Sequence, residues 1–308
     1  MDAGHILGSA AVVLDVEEDG RKFRVWFSGD IGRRDLPILR DPVLPEKTDY
    51  LIMECTYGDK SHLDPQIAYE ELRQVITKTI RRGGKVIIPA FAVGRTQELV
   101  YDLHKMISGG EIPKIPIFVD SPLAVNASDI FKAHPYLFDE ETKEFLRTDK
   151  HHSALGFDLL TYTRSVEESK AINFVKGSAV IISASGMAET GRILHHLKNN
   201  IENPLNTILI VSWQAPNTLG RRLAEREVKI KIFGETYYRK ADVETIGGLS
   251  AHAGQALLLE YAKASKDTIK KIFLVHGEPR GAEPIIEKLG NAGMDQVFFP
   301  DQLESVKL

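Results

Sequence analysis

Leu249-Ser250-Ala251-His252-Ala253-Gly254-Gln255, read together with Leu274-Val275-His276-Gly277-Glu278, decides how this chain is organised. Each stretch sets a histidine beside glycine or small residues at the end of a strand-like run. Neither is a motif alone. Near the other end stand Asp2-Ala3-Gly4-His5 and Ser28-Gly29-Asp30, again a histidine and a carboxylate among small residues. Strand ends in layered α/β sheets are where sites are built.

Working outward, 308 residues suffice for one large or two modest domains. Charged residues make up 27% and hydrophobic ones 43%, an ordinary soluble balance. No apolar run approaches the length that spans a bilayer, and no charged-then-apolar leader is expected. The single cysteine, Cys55, excludes a disulfide framework and a cysteine-based zinc knuckle, and fits a cytoplasmic location. A net charge of −4 does not advertise nucleic-acid binding, but a local basic groove can sit in an acidic protein.

Periodicity predicts strands over residues 10–15, 22–28 and 49–54, the last ending on Glu54. Alternating helices and strands follow, with helices over 65–81, 96–106, 123–131, 140–146, 165–172 and 189–198. Strands are expected at 85–89, 115–120, 159–163, 178–183 and 207–212. Ser165 with Glu168 three residues on is a capping box. Residues 228–233 and 236–246 read as a hairpin through Gly234-Glu235. Helices over 255–264 and 283–292 alternate with strands at 269–275 and 297–299. The class is α/β with mixed sheets. The most economical division is discontinuous: residues 1–88 and 207–308 as one domain, 89–206 as an inserted α/β domain. A serial split is the alternative.

Ten histidines occur, and any one is more often a surface or hydrogen-bonded core residue than a ligand. His5, His252 and His276 differ by context. Imidazole and carboxylate together suit zinc or a similar divalent ion, and Asp30 is placed to bridge two. Their spacing is long-range, so periodicity does not confirm a metal site. His195-His196 reads as a helix surface with one residue turned inward, because neighbours on a helix point about 100° apart. His151-His152 reads as solvated loop, and Cys55 as a small apolar filler.

Asp2–Ala10 and Phe27–Gly32 resemble the third and fourth motifs of the metallo-β-lactamase fold. Glu54-Cys55-Thr56-Tyr57-Gly58-Asp59, Ser250-Ala251-His252 and Val275-His276-Gly277-Glu278 resemble the three motifs that mark its β-CASP branch. Pro89–Arg95 and Ser185–Arg192 are similar to that branch too. The match covers nearly the whole chain in order, and it is nearest to bacterial and archaeal β-CASP ribonucleases, relatives of the nuclease subunit of the mRNA 3′-end cleavage machinery.

The resemblance implies two zinc ions, with His5 on one, His276 on the other and Asp30 bridging. It makes His252 the group that contacts the scissile phosphate and protonates the leaving oxygen, steadied by Glu54. Asp30, Glu54 and His252 are thus the catalytic set. A pair of cations about 3.5–4 Å apart suits in-line phosphoryl displacement, and a carboxylate beside a histidine suits a general acid. Histidine at 276, where an apolar residue such as valine is the alternative, resembles RNA-acting members rather than DNA-repair members. Arg95, Ser185, Gly186 and Arg192, at segments that open helices and in the family line the RNA groove, become the phosphate-contact candidates. The implied partner is single-stranded RNA, and a homodimer stays open.

One departure is plain. The family's His-x-His-x-Asp-His run is absent from these residues. The expectation is an N-terminally truncated enzyme: an incomplete αββα sandwich with an inserted β-CASP domain, inactive by itself, with residues 1–30 poorly buried or completed by a partner chain. A non-catalytic RNA-binding subunit is the alternative. The survival of His5, Asp30, Glu54, His252 and His276 favours the enzyme.

Overall fold

A computed structural model describes residues 1–62, 64–247 and 250–306, so Leu249 of the opening motif lies outside the described residues. In chain order the first strands are β1 (Val12–Glu18), β2 (Arg21–Phe27) and β3 (Tyr50–Glu54). Next come α1 (Pro65–Arg81), β4 (Val86–Pro89), α2 (Arg95–Ser108), β5 (Ile117–Val119), α3 (Pro122–Ala133), α4 (Glu140–Thr148), β6 (Leu160–Tyr162) and α5 (Val166–Ala171). They are followed by β7 (Val180–Ser183), α6 (Ile193–Asn200), β8 (Thr207–Ile210), α7 (Leu219–Ala224), β9 (Lys229–Ile232), β10 (Glu235–Tyr238) and β11 (Asp242–Thr245). The chain closes with α8 (Gln255–Lys263), β12 (Lys271–Val275), α9 (Pro279–Gly290) and β13 (Val297–Phe298).

Two units result: residues 1–62 with 250–308, and residues 63–249. The boundaries therefore fall well outside the expected 88 and 207. The cause is strand pairing. β4 and β8, the strands expected to flank the insertion from outside, pair with each other through Val86↔Thr207 and Ile87↔Ile208. Both belong to the second unit's six-stranded sheet, ordered β11-β8-β4-β7-β5-β6 and parallel throughout. The expected long strand over 236–246 is two strands. It breaks at Arg239–Ala241, where Lys240 and Ala241 both donate to the Ile201 carbonyl. β10 then completes a hairpin with β9, while β11 joins the large sheet. Helix α7 is a short element the spacing did not reveal.

The first unit holds a mixed five-stranded sheet, ordered β1-β2-β3-β12-β13. Only the β1–β2 pair is antiparallel. Period-2 alternation gives this sheet two faces. One carries Trp26, Leu51, Met53, Ile272 and Leu274, packed on Leu258 and Tyr261 of α8 and Ile285 and Leu289 of α9. The Trp26 indole donates to the Tyr261 hydroxyl at 2.7 Å inside that core, which satisfies a buried polar group. The opposite face carries Val25, Tyr50 and Phe273 with Val16, Phe23 and Ile52. On the same face Val12, Leu14, Phe27, Val275 and Phe298 are exposed. Residues 1–30 are poorly buried, as expected, with Ala3, Ala11, Val25 and Trp26 among the few that are buried.

The sheet places the site. β2, β3 and β12 are adjacent and parallel, so their carboxyl ends lie at one edge, with Val275 opposite Glu54 and Phe27 opposite Ile52. That edge delivers the residues after Phe27, Glu54 itself and His276.

Candidate active site

His276 directly follows β12, and Asp30 lies three residues beyond β2. His252 is held by a short bridge: Ala253 N–H donates to the Ile31 carbonyl at 2.7 Å and Arg33 N–H to the Ala251 carbonyl at 3.0 Å. His5 arrives on the N-terminal loop. The Gly32 N–H donates to Ala3 at 2.7 Å, and the His5 N–H donates to the Ser9 hydroxyl at 3.1 Å. Gly32 is required here by close approach, since a Cβ at that position would lie 1.8 Å from the Gly4 carbonyl oxygen. The loop carrying His5 therefore touches the loop carrying Asp30.

Five of the expected residues converge. Asp30 lies between two imidazoles: Oδ2 is 3.9 Å from His5 Nε2, and Oδ1 is 3.4 Å from His276 Nδ1. The rings of His5 and His252 stand 4.3 Å apart, those of His252 and His276 5.8 Å. Ligand-capable atoms of His5, Asp30 and His252 all lie within 4.8 Å of one another, as do those of Glu54, His252 and His276. His276 is 58% exposed and Asp30 39%, so the site opens to solvent on that side.

Glu54 is the buried anchor, with a side chain only 1% exposed. Its Oε1 accepts from His252 Nδ1 at 2.9 Å and from the Ile31 N–H at 2.6 Å. Its Oε2 accepts from the Thr56 N–H at 3.3 Å. A carboxylate accepts from Nδ1 only if that nitrogen carries hydrogen, which leaves Nε2 of His252 as the working nitrogen. Burial opposes charge on His252, but the Glu54 hydrogen bond and charge outweigh it and raise the pKa above the ordinary histidine value. His5 moves the other way. Burial first, and then repulsion from His252, lower its pKa, so it is the neutral ligand-type imidazole. Cys55 is buried, and burial and then the neighbouring Glu54 push its thiol up to about 11.

Three contributors escaped the sequence reading. Thr56 Oγ1 donates to the His276 carbonyl at 3.0 Å and sits 3.3 Å from its Nδ1. Ser28 Oγ accepts from the Glu54 N–H at 3.2 Å. His62 packs edge-on against Tyr57, and its pKa is lowered to about 4 by burial and then by Arg33. Thr56 and Ser28 lie inside the quoted motifs, so their position was the available signal. His62 had none. His276 itself takes a left-handed φ of 47°, which histidine tolerates better than most residues.

The four phosphate-contact candidates all lie in the second unit, and none is a free donor at a helix start. Arg95 is buried, its guanidinium paired with Glu98. Arg192 donates to Asp120 at 2.8 Å and to the Arg164 carbonyl at 2.7 Å. Ser185 Oγ accepts from the N–H groups of Glu189 and Thr190. Gly186 accepts from Gln214 and backs onto Phe91, 3.0 Å from where a Cβ would sit. The 185–192 segment is a loop, not a helix start, because α6 begins only at Ile193. His196 is the inward member of its pair, bonding Asp120 at 2.6 Å, while His195 rests on Phe233.

Among the described residues no helix is long and apolar enough to cross a membrane. Residues 96–223 match the family described as Beta-Casp domain, and residues 236–300 the one described as Zn-dependent metallo-hydrolase RNA specificity domain. The chain is 38% identical over 277 residues to Ribonuclease TTHA0252 of Thermus thermophilus, covering 90% of this chain and 61% of that protein. It is 31% identical over 317 residues to Transcription termination factor FttA of Methanothermobacter thermautotrophicus, covering 100% and 49%. With the RNase J-like protein of Methanocaldococcus jannaschii the identity is 32% over 283 residues, covering 90% and 62%. The chain thus spans about half to three-fifths of the length of these relatives. With matches to both domain families and the ordered site at the sheet edge, the chain belongs to the β-CASP family of metallo-β-lactamase-fold proteins.

Proposed function

We propose that this chain carries part of the active site of a zinc-dependent ribonuclease that hydrolyses phosphodiester bonds of single-stranded RNA in the cytoplasm. The observation that carries the reading is the pairing of two arrangements at one sheet edge. One is a solvent-facing carboxylate between two imidazoles. The other is a histidine whose pKa a buried glutamate raises. The first suits metal, the second suits proton donation to a leaving oxygen.

The donor set fits zinc in kind: neutral imidazole on His5, imidazole on His276 and a carboxylate on Asp30. Zinc, when bound, would supply an acidified water and neutralise phosphate charge. The chain's own residues do the rest. His252, fixed through Nδ1 by Glu54, presents Nε2 to the leaving oxygen and delivers its proton there. Glu54 holds the ring and stabilises its charge. Thr56 and Ser28 hold His276 and Glu54 in place. In number the donors fall short, because three residues shared by two ions leave each shell below about four ligands. The 308-residue chain is therefore expected to lack robust activity without further donors.

In the second unit Arg95 and Arg192 spend their guanidinium groups on Glu98 and Asp120. That leaves Ser185, whose hydroxyl hydrogen is not used by the two bonds it accepts, and Gly186 as the backbone-contact positions.

The test is cleavage of 5′-labelled single-stranded RNA with zinc. Two forms are compared: the chain alone, and the chain fused behind a segment bearing His-x-His-x-Asp-His. No cleavage by the first, cleavage by the second, and loss of that cleavage in His252→Ala are expected. RNA binding without cleavage by either form would favour the non-catalytic subunit. Robust cleavage by the chain alone would overturn its expected inactivity.

A further inference from the structure

A second group of ligand-type side chains lies wholly within the 63–249 unit, outside the site above. His104 of α2, Asp149 at the end of α4 and His151 in the turn that follows bring their ligand-capable atoms within 4.8 Å of one another. His104 and His151 line a cavity of about 220 Å³ with Ser108, Lys114, Lys150, Phe157 and Asp158. His151, expected to be solvated, is only 17% exposed.

The geometry of His104 points to a cation. The ring is 1% exposed and stacks on Phe157 at 4.4 Å. Its Nδ1 lies 3.3 Å from the Ala154 carbonyl, which can only accept, so Nδ1 carries the hydrogen. That leaves a lone pair on Nε2. Nε2 is buried without a hydrogen-bond partner, and it faces Asp149 Oδ2 at 3.3 Å. Asp149 is itself 4% exposed, and its oxygens accept from Ser108 Oγ at 2.7 Å and the His151 N–H at 2.8 Å. Two buried acceptors facing each other repel unless a cation lies between them. A proton on His104 is one candidate. A metal ion is the other. Two ligands on a tetrahedral zinc, each at about 2.0–2.1 Å, sit about 3.3–3.4 Å apart, which matches the separation seen. The N–H on the far side of the ring, given to a backbone carbonyl, is the usual support for a ligating histidine.

We propose that His104 Nε2, Asp149 Oδ2 and His151 bind a divalent transition metal of the zinc class, with water from the cavity completing the shell. The site ties the end of α4 to α2 and is separate in sequence and in unit from His5, Asp30 and His276.

The experiment uses the full chain carrying Asp30→Asn and His276→Ala, which silences the first site, titrated with cobalt(II). One cobalt per chain with tetrahedral-type visible absorption is expected. Adding His151→Ala should weaken it about tenfold or more, and His104→Gln should do the same. As a second readout, zinc should raise the unfolding temperature of the silenced chain but not of its His151→Ala form. No cobalt bound in the silenced chain, or binding indifferent to both substitutions, overturns the proposal and leaves a protonated His104–Asp149 pair as the account of the geometry.

Discussion

Glu54 Oε1 lies 2.9 Å from His252 Nδ1 and accepts the Ile31 N–H with the same oxygen. One buried carboxylate therefore orients the histidine and fixes the loop that leads from Asp30. Its two jobs can be separated by removing the charge and keeping the shape.

Glu54→Gln keeps an acceptor for Ile31 but not the charge. The raised pKa of His252 should then fall, because Asp30 remains as the one charge that offsets burial, and it is the smallest of the raising causes. Histidine ring proton shifts followed against pH would show it. The sign follows from linkage. With Glu54 present, the pair's contribution to stability is complete below the ordinary histidine value. It is lost as pH rises through the raised one. An unchanged His252 titration in Glu54→Gln would remove the glutamate from the account.

His62 gives the opposite slope. Its pKa is lowered to about 4, so between about 6.5 and that value the unfolded chain binds a proton the folded chain refuses. Stability should fall as pH drops through this window. Urea unfolding of His62→Gln should show a flatter dependence there, with little change at pH 8.

Gly32→Ala forces a methyl to within 1.8 Å of the Gly4 carbonyl oxygen, a backbone atom that cannot step aside. A loss of about 3 kcal/mol or more is expected, at the upper end for a single substitution. If the fold survives, His5 should be displaced and zinc affinity should drop with it. Denaturant unfolding and zinc titration together check both.

In the second unit Asp120 is a fully buried hub, bonded by His196, Arg192, Thr163 and Ser169. Burial alone would raise its pKa, but those bonds hold it well below the carboxylate range. Asp120→Ala strands two buried cationic or donor groups and should cost about 3–5 kcal/mol. Calorimetry should register this as a fall of roughly 6–20 °C. The contribution of Asp120 is present above the ordinary carboxylate value and is lost as pH falls toward the depressed one.

His5 and His252 come in on loops, and it was the resemblance that pointed to them. Asp30, Glu54 and His276 were legible because each stands at or just beyond a strand end, and parallel strands gather their carboxyl ends at one edge. Glu54 and His276 illustrate this, being neighbours across β3 and β12. Unit boundaries were not legible. The apolar runs of β4 and β8 read alike whichever sheet they enter, and only their mutual pairing assigns them. The Gly186–Arg192 glycines misled in a similar way. Glycine marks a tight approach as readily as a helix start, and here it serves the packing against Phe91 and the turn before α6. His104 and Asp149 carried no local signal, since α2 and the end of α4 meet only in three dimensions.

The central claim is that Asp30, set between His5 and His276, holds metal at the edge that presents His252. Equilibrium dialysis against zinc of the His151→Ala chain, with and without Asp30→Asn, tests it most directly. The account predicts zinc retained by the first and lost from the second. Equal zinc content in both chains would contradict it.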